Sequence, residues 1–127
     1  MNEAKTLVIR GNLVDIINRR TFGAEISILN GHIGKVIPTG QDEGSYLLPG
    51  FIDAHTHFDL DVCNTTTTDD FTTGSRAALK GGTTTVIDFA CPNKGESLHY
   101  GLDLWHRKAD GRTFCDYGFH MTIDDWN

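Results

Sequence analysis

Two histidines separated by one residue, His55 and His57, are the side chains whose type and spacing speak most directly of chemistry. In an extended strand alternate side chains leave the same face, about 7 Å apart along the backbone, so two imidazoles placed this way can grip one ion. Neutral imidazole suits zinc as a ligand. A bare His-x-His also arises by chance, as two solvated rings at a strand end. Here the flanking sequence decides: Leu48-Pro49-Gly50-Phe51-Ile52-Asp53 runs directly into the pair, and Gly81-Gly82-Thr83-Thr84-Thr85 follows one βα unit later. Asp53 reads as an orienting residue, because a third ligand from the same short strand would crowd one ion.

The elements that must position this pair divide into two grammars. Residues 6–10, 13–17, 25–29 and 32–37 read as short strands, the last two joined by Asn30-Gly31, whose tolerance of positive φ suits a type I′ hairpin turn. This first region is expected to be antiparallel β. A polar connector over 38–45 ends it. Beyond Pro49-Gly50 come an apolar strand over 51–54 and a helix over 69–80 with Phe71, Gly74, Ser75, Ala78 and Leu79 on one face. Gly81-Gly82 stops that helix, and a β-branched strand over 83–90 follows. A second helix over 97–109 carries Leu98, Leu102, Trp105 and Ala109 at helical spacing, and a third strand covers 115–122.

The order βαβαβ implies a parallel sheet with right-handed crossovers. The fold class is α/β: the start of a (β/α)8 TIM-type barrel preceded by a small antiparallel β-sandwich region, incomplete as given, since such a barrel takes about 250 residues. Residues 1–48 are the N-terminal part of the sandwich, and 49–127 hold the first three strands and two helices of the barrel. His55 and His57 then fall at the carboxyl end of the first barrel strand, where the active sites of such barrels are built. Asp88, at the end of the second, is expected to point toward that catalytic face, with a structural hydrogen-bonding role favoured over chemistry. Trp105 and Trp126 read as packing residues.

Composition excludes several classes. With 39% hydrophobic and 22% charged residues among 127, the chain is too apolar for disorder and too interrupted by charge for a membrane protein. The net charge of -6, with no basic cluster longer than Arg19-Arg20, argues against nucleic acid. Met1-Asn2-Glu3-Ala4-Lys5 lacks the apolar core of a signal peptide, so a cytoplasmic location is the default. Cys63, Cys91 and Cys115 form an odd set with no close pair and read as free thiols, Cys91 alone being placed to face a cleft.

Residues 49–57 resemble the Pro-Gly-x-Ile-Asp-x-His-x-His strand that opens members of the amidohydrolase superfamily. Within it, Asp69-Asp70-Phe71 to Ala77-Ala78-Leu79, Gly81-Gly82-Thr83-Thr84 to Ile87-Asp88-Phe89, and Asp116-Tyr117-Gly118-Phe119-His120-Met121 resemble the hydantoinase and dihydropyrimidinase branch. After the second histidine, Phe58-Asp59 fits that branch while Leu60-Asp61-Val62 departs from it, in a loop that in the family helps shape the substrate pocket. Leu60 and Val62 are therefore candidate pocket residues.

The resemblance implies a centre of two divalent metal ions, commonly zinc, bridged by a carboxylated lysine and a hydroxide that attacks a ring amide. His55 and His57 would hold the more buried ion. The lysine, two further histidines and the proton-shuttling aspartate would come from later strands, so no catalytic residue is assigned within this chain, and the chain alone is expected to be inactive. His120 belongs to a pattern that the family uses structurally. The implied partner is a small cyclic amide or imide, acted on by a homo-oligomer, commonly a tetramer. Two alternatives remain: a non-catalytic dihydropyrimidinase-related scaffold, against which both histidines argue, and another cyclic amidohydrolase such as an allantoinase or cyclic imidase.

Overall fold

A computed structural model describes residues 6–125 as a mixed α/β chain that divides into two compact units between Pro49 and Gly50. Trp126 lies outside the described residues. No helix among them is long and apolar enough to cross a membrane.

The first unit is one four-stranded sheet. β1 (Thr6–Asp15) and β2 (Arg20–Leu29) pair antiparallel from Thr6↔Leu29 to Asp15↔Arg20, and β3 (His32–Pro38) pairs with the far side of β2. The Asn30-Gly31 turn between β2 and β3 has φ of 51° and 80°, the left-handed values that these two residue types tolerate. Two expectations need correction. Residues 6–10 and 13–17 are not separate strands: β1 runs unbroken through Gly11, and the chain turns only after Asp15, whose carboxylate accepts the Asn18 backbone N–H at 3.1 Å. The region is also not purely antiparallel, because the connector brings β4 (Tyr46–Leu47) back beside β1 in parallel register. Gly11 permits that approach, since a Cβ there would stand 2.5 Å from Leu47 Cγ.

In the second unit β5 (Phe51–Thr56), β8 (Thr83–Ala90) and β9 (Asp116–Met121) form a parallel sheet in the order β5-β8-β9. A short antiparallel ribbon, β6 (Asp61–Val62) with β7 (Thr65–Thr66), interrupts the first crossover. Helix α1 (Phe71–Lys80) starts where Asp70 accepts the Thr73 backbone N–H and the Thr73 hydroxyl answers the Asp70 N–H. Helix α2 (Leu98–Ala109) starts on Ser97, whose Oγ accepts the Tyr100 N–H. Phe71, Ala90, Trp105 and Ala109 form the buried core between sheet and helices, with Phe58, Leu60, Cys91 and Phe119 packed around it. Leu79 and Leu98, expected on buried helix faces, are exposed. The buried positions are Phe71, Gly74 and Ser75 on α1 and Gly101, Trp105 and Ala109 on α2; Leu79 stands at the edge of the first stripe in the last turn, and Leu98, in line with the second, is the first residue of its helix and stays open to solvent.

Candidate metal centre

β5 extends past the expected residue 54, so His55 sits inside the strand and His57 just beyond it. Their Nε2 atoms are 3.2 Å apart, with the rings nearly perpendicular. Both rings lie against Phe89, at centroid distances of 4.5 Å for His55 and 5.1 Å for His57, and His120 meets the same phenyl at 4.7 Å. The sheet register explains the cluster. Thr56 pairs with Asp88 and Phe89 pairs with His120, so side chains from three neighbouring strands converge on one face.

The separation of 3.2 Å suits a shared ion: with Zn–N bonds of ~2.0 to 2.1 Å it subtends an angle of about 100° at the metal, close to tetrahedral. It also suits one N–H···N hydrogen bond between neutral rings. Both imidazoles are exposed, which leaves the remaining coordination positions open. Among the described residues no three His, Cys, Asp or Glu side chains are grouped to hold a metal, so the arrangement is a two-ligand half-site.

The backbone around the pair is pinned by carboxylates. Asp53 Oδ1 accepts the His55 N–H at 3.1 Å. Asp88, fully buried, accepts four hydrogen bonds: the Thr56 hydroxyl at 3.1 Å and the Phe58 N–H at 2.8 Å on Oδ2, and the Phe89 N–H at 2.7 Å and the Trp105 indole N–H at 3.0 Å on Oδ1. This corrects one expectation. Asp88 does not point toward the face that carries the histidines; it lies with Val86 and Ala90 on the helix-covered side of β8, because neighbouring residues on a strand face opposite ways and Phe89 takes the other side. Its hydrogen-bonding role agrees with the sequence reading. Trp105 does more than pack, since its buried indole N–H needs an acceptor and finds Asp88.

Beyond His57 the chain stays tethered. The Asp59 N–H donates to the Asp69 carbonyl at 2.8 Å, Lys108 Nζ donates to the Asp59 carbonyl, and the Leu60 N–H donates to Thr67 Oγ1 at 2.9 Å. The two candidate pocket residues are not brought together. Leu60 packs on the buried core, whereas Val62 is exposed and lines an open concavity with Asp61, Cys63 and Thr65. His120 Nε2 lies 3.1 Å from the Ala54 carbonyl and donates to it, so that nitrogen is already engaged. Cys91, half-buried, turns its Sγ to Thr122 Oγ1 at 3.1 Å rather than to a cleft. Burial pushes the Cys115 thiol above its usual range, so it stays protonated near neutral pH.

Phe89, Thr56 and Lys108 escaped the sequence reading. Strand alternation puts Phe89 opposite Val86, Asp88 and Ala90 once their burial is seen, but the largely apolar run does not show in sequence which side that is; nothing local pointed to the other two.

Residues 46–121 match the model described as the amidohydrolase family. A D-hydantoinase of Streptomyces coelicolor is 41% identical over 133 aligned positions, covering 94% of this chain and 28% of that protein. The crystal structure of a dihydropyrimidinase from Brevibacillus agri superposes with a TM-score of 0.86 at 39% identity, over 97% of this chain and 28% of that one. A shorter stretch of 59 residues is 95% identical to a protein of Parabacteroides distasonis named adenine deaminase, covering 46% of this chain and 11% of that protein. The chain thus spans about a quarter of the length of the two relatives that it matches along most of its extent.

Proposed function

The chain belongs to the amidohydrolase family, and from that premise we propose that the protein carrying it is a metal-dependent cyclic-amide hydrolase of the D-hydantoinase or dihydropyrimidinase type. Its substrates are hydantoin or dihydropyrimidine rings. Hydrolysis consumes one water, breaks a ring C–N bond and leaves a carboxylate and a ureido group. His55 and His57 are the ligands contributed by this chain to one of two divalent ions, zinc by preference; the remaining ligands lie outside residues 6–125. The chemistry such ions supply when bound is activation of water and polarisation of the ring carbonyl.

The residues of this chain have three tasks in that reaction. His55 and His57 present their Nε2 atoms at an ion-bridging separation. Phe89 fills the space behind both rings, which limits their tilt and keeps water from competing on that side. Asp53 fixes the backbone from which His55 projects. Leu60 acts on substrate only through the core that shapes the loop, while Val62 is free to meet it. A homotetramer in the cytoplasm completes the proposal.

The observation that carries this reading is the 3.2 Å separation of two imidazole nitrogens at a strand end. The test uses the full-length protein with dihydrouracil and 5-substituted hydantoins, before and after removal of metal by a chelator. Turnover should vanish on chelation and return with zinc, and His55→Ala or His57→Ala should each lower it by ~100-fold or more. Metal-independent turnover would refute the proposal, and a protein with neither turnover nor zinc would be a scaffold.

A second reading is favoured by the 95% match over 59 residues to a protein named adenine deaminase. Adenine belongs in the same assay. Ammonia released from adenine, with no ring opening of dihydrouracil, would replace the first reading with the second.

A further inference from the structure

One carboxylate holds the segment that carries His57. Thr56 is the last residue of β5, and His57 follows it just outside the strand. Asp88 Oδ2 takes the Thr56 hydroxyl from one side and the Phe58 amide from the other, and so spans the histidine with a single oxygen. Oδ1 is held in turn by the Trp105 indole and the Phe89 amide, which fixes the carboxylate to α2 and to β8. Phe89 is also the phenyl against which both histidine rings rest.

A buried carboxylate is costly to desolvate, and among the described residues no lysine, arginine or histidine forms an ion pair with Asp88. A peg for the core alone would not need it. What the geometry does need is two oxygens that each accept two hydrogen bonds, which a carboxylate provides and an amide cannot, since its NH2 would oppose one pair of donors.

We propose that Asp88 is a positioning residue for the metal site: through Thr56 and Phe58 it fixes the backbone on either side of His57, and so holds the two imidazole nitrogens at the separation one ion requires. The inference rests on the metal-binding reading of His55 and His57 and extends it to a residue on the opposite face of the sheet.

The experiment is a zinc titration of the full-length protein by chelator competition, with thermal midpoints measured on the metal-free samples. Asp88→Asn should weaken zinc binding by ~10-fold or more, and Thr56→Val, which removes only the hydroxyl donor, should weaken it by a smaller factor. Ser75→Ala serves as the stability control, because its hydroxyl bonds the Phe114 N–H and the Phe71 carbonyl and shares no partner with Asp88. It should lower the midpoint yet leave zinc affinity within ~2-fold. Asp88→Asn with native zinc affinity, or with a loss no greater than that of Ser75→Ala at the same midpoint, overturns the proposal. If Asp88→Asn does not fold, Thr56→Val decides alone, native affinity in that variant counting against the role. Zinc binding untouched by His57→Ala would instead sink the metal reading itself, a result distinguishable from the others.

Discussion

Gly74→Ala offers a worked prediction, because two opposing effects act at one position and the structure says which is larger. Alanine inside a helix is favoured over glycine by about 0.5 to 1 kcal/mol, so at an exposed site the change would stabilise. Gly74 is buried, and a Cβ there would stand 2.3 Å from Phe58 Cε1 and 2.6 Å from its Cδ1 and Cζ. Carbon atoms sit at ~3.5 to 4.0 Å in good contact, so the ring must retreat by about 1 Å. It has little room. Phe58 stands edge-on to the fully buried Phe71, with ring centroids 5.6 Å apart, and its backbone N–H is bound to Asp88. Overpacking of this kind costs about 1 to 3 kcal/mol, which leaves a net destabilisation of about 1 kcal/mol. The assay is a double-mutant cycle by urea unfolding with Phe58→Leu, which removes the ring atoms in question. The two changes should couple by about 0.5 kcal/mol or more, with Gly74→Ala less harmful in the leucine background. Gly74→Ala that stabilises the native protein, or that has the same effect in both backgrounds, refutes the reasoning.

Hydrogen bonding holds four carboxyls below their usual range: Asp15 through the Asn18 side chain, Asp42 through the Asn12 side chain, Asp70 through the Thr73 backbone N–H and Asp110 through the Tyr117 hydroxyl. The folded state therefore binds fewer protons than the unfolded one; the stability these groups contribute is complete above about pH 4 and is lost as pH falls through their depressed values. Tyr117 has the opposite sign, its phenol raised by the bond to Asp110, so its contribution is present below about pH 10 and lost above it. Thermal midpoints from pH 2 to 11 should show both limbs, and Tyr117→Phe should flatten the alkaline one. The 127-residue chain by itself should show no turnover of dihydrouracil, hydantoins or adenine, because two histidines make an incomplete site. It should also self-associate through the free edges of β5 and β9 and through exposed Phe51, Ile52 and Ile33. A monodisperse monomer by analytical ultracentrifugation would contradict that.

What the sequence made legible was local. Asn30-Gly31, the stop at Gly81-Gly82, the β-branched run from Thr83 and the same-face spacing of His55 and His57 each act within a few residues, and each appears in the structure where it was read. What stayed hidden depends on contacts between distant segments. Gly11 looked like a gap between strands, yet its missing side chain is what lets β4 lie beside an unbroken β1. The face taken by Asp88 was equally obscure, because Val86 to Ala90 is largely apolar and carries no polar alternation to tell the two sides apart. Trp105 could be read as core, but the acceptor of its indole N–H lies 17 residues earlier, on another element.

Asp88 and Phe89 show why strand register, more than residue identity, governs this site. Adjacent on β8, they serve opposite faces: the carboxylate ties the His57 segment to α2, and the phenyl supports both histidine rings. A one-residue slip of β8 would exchange them, because side chains alternate with a period of two. The phenyl would then enter the helix-covered core, and a carboxylate would stand beneath the imidazoles as a further potential ligand. The slip is opposed from both neighbours at once, by the Thr56↔Asp88 pairing with β5 and by the continuous pairing with β9 from Thr85↔Asp116 to Ala90↔Met121. The separation of His55 and His57 is thus set by the central strand of the sheet, although neither histidine belongs to it.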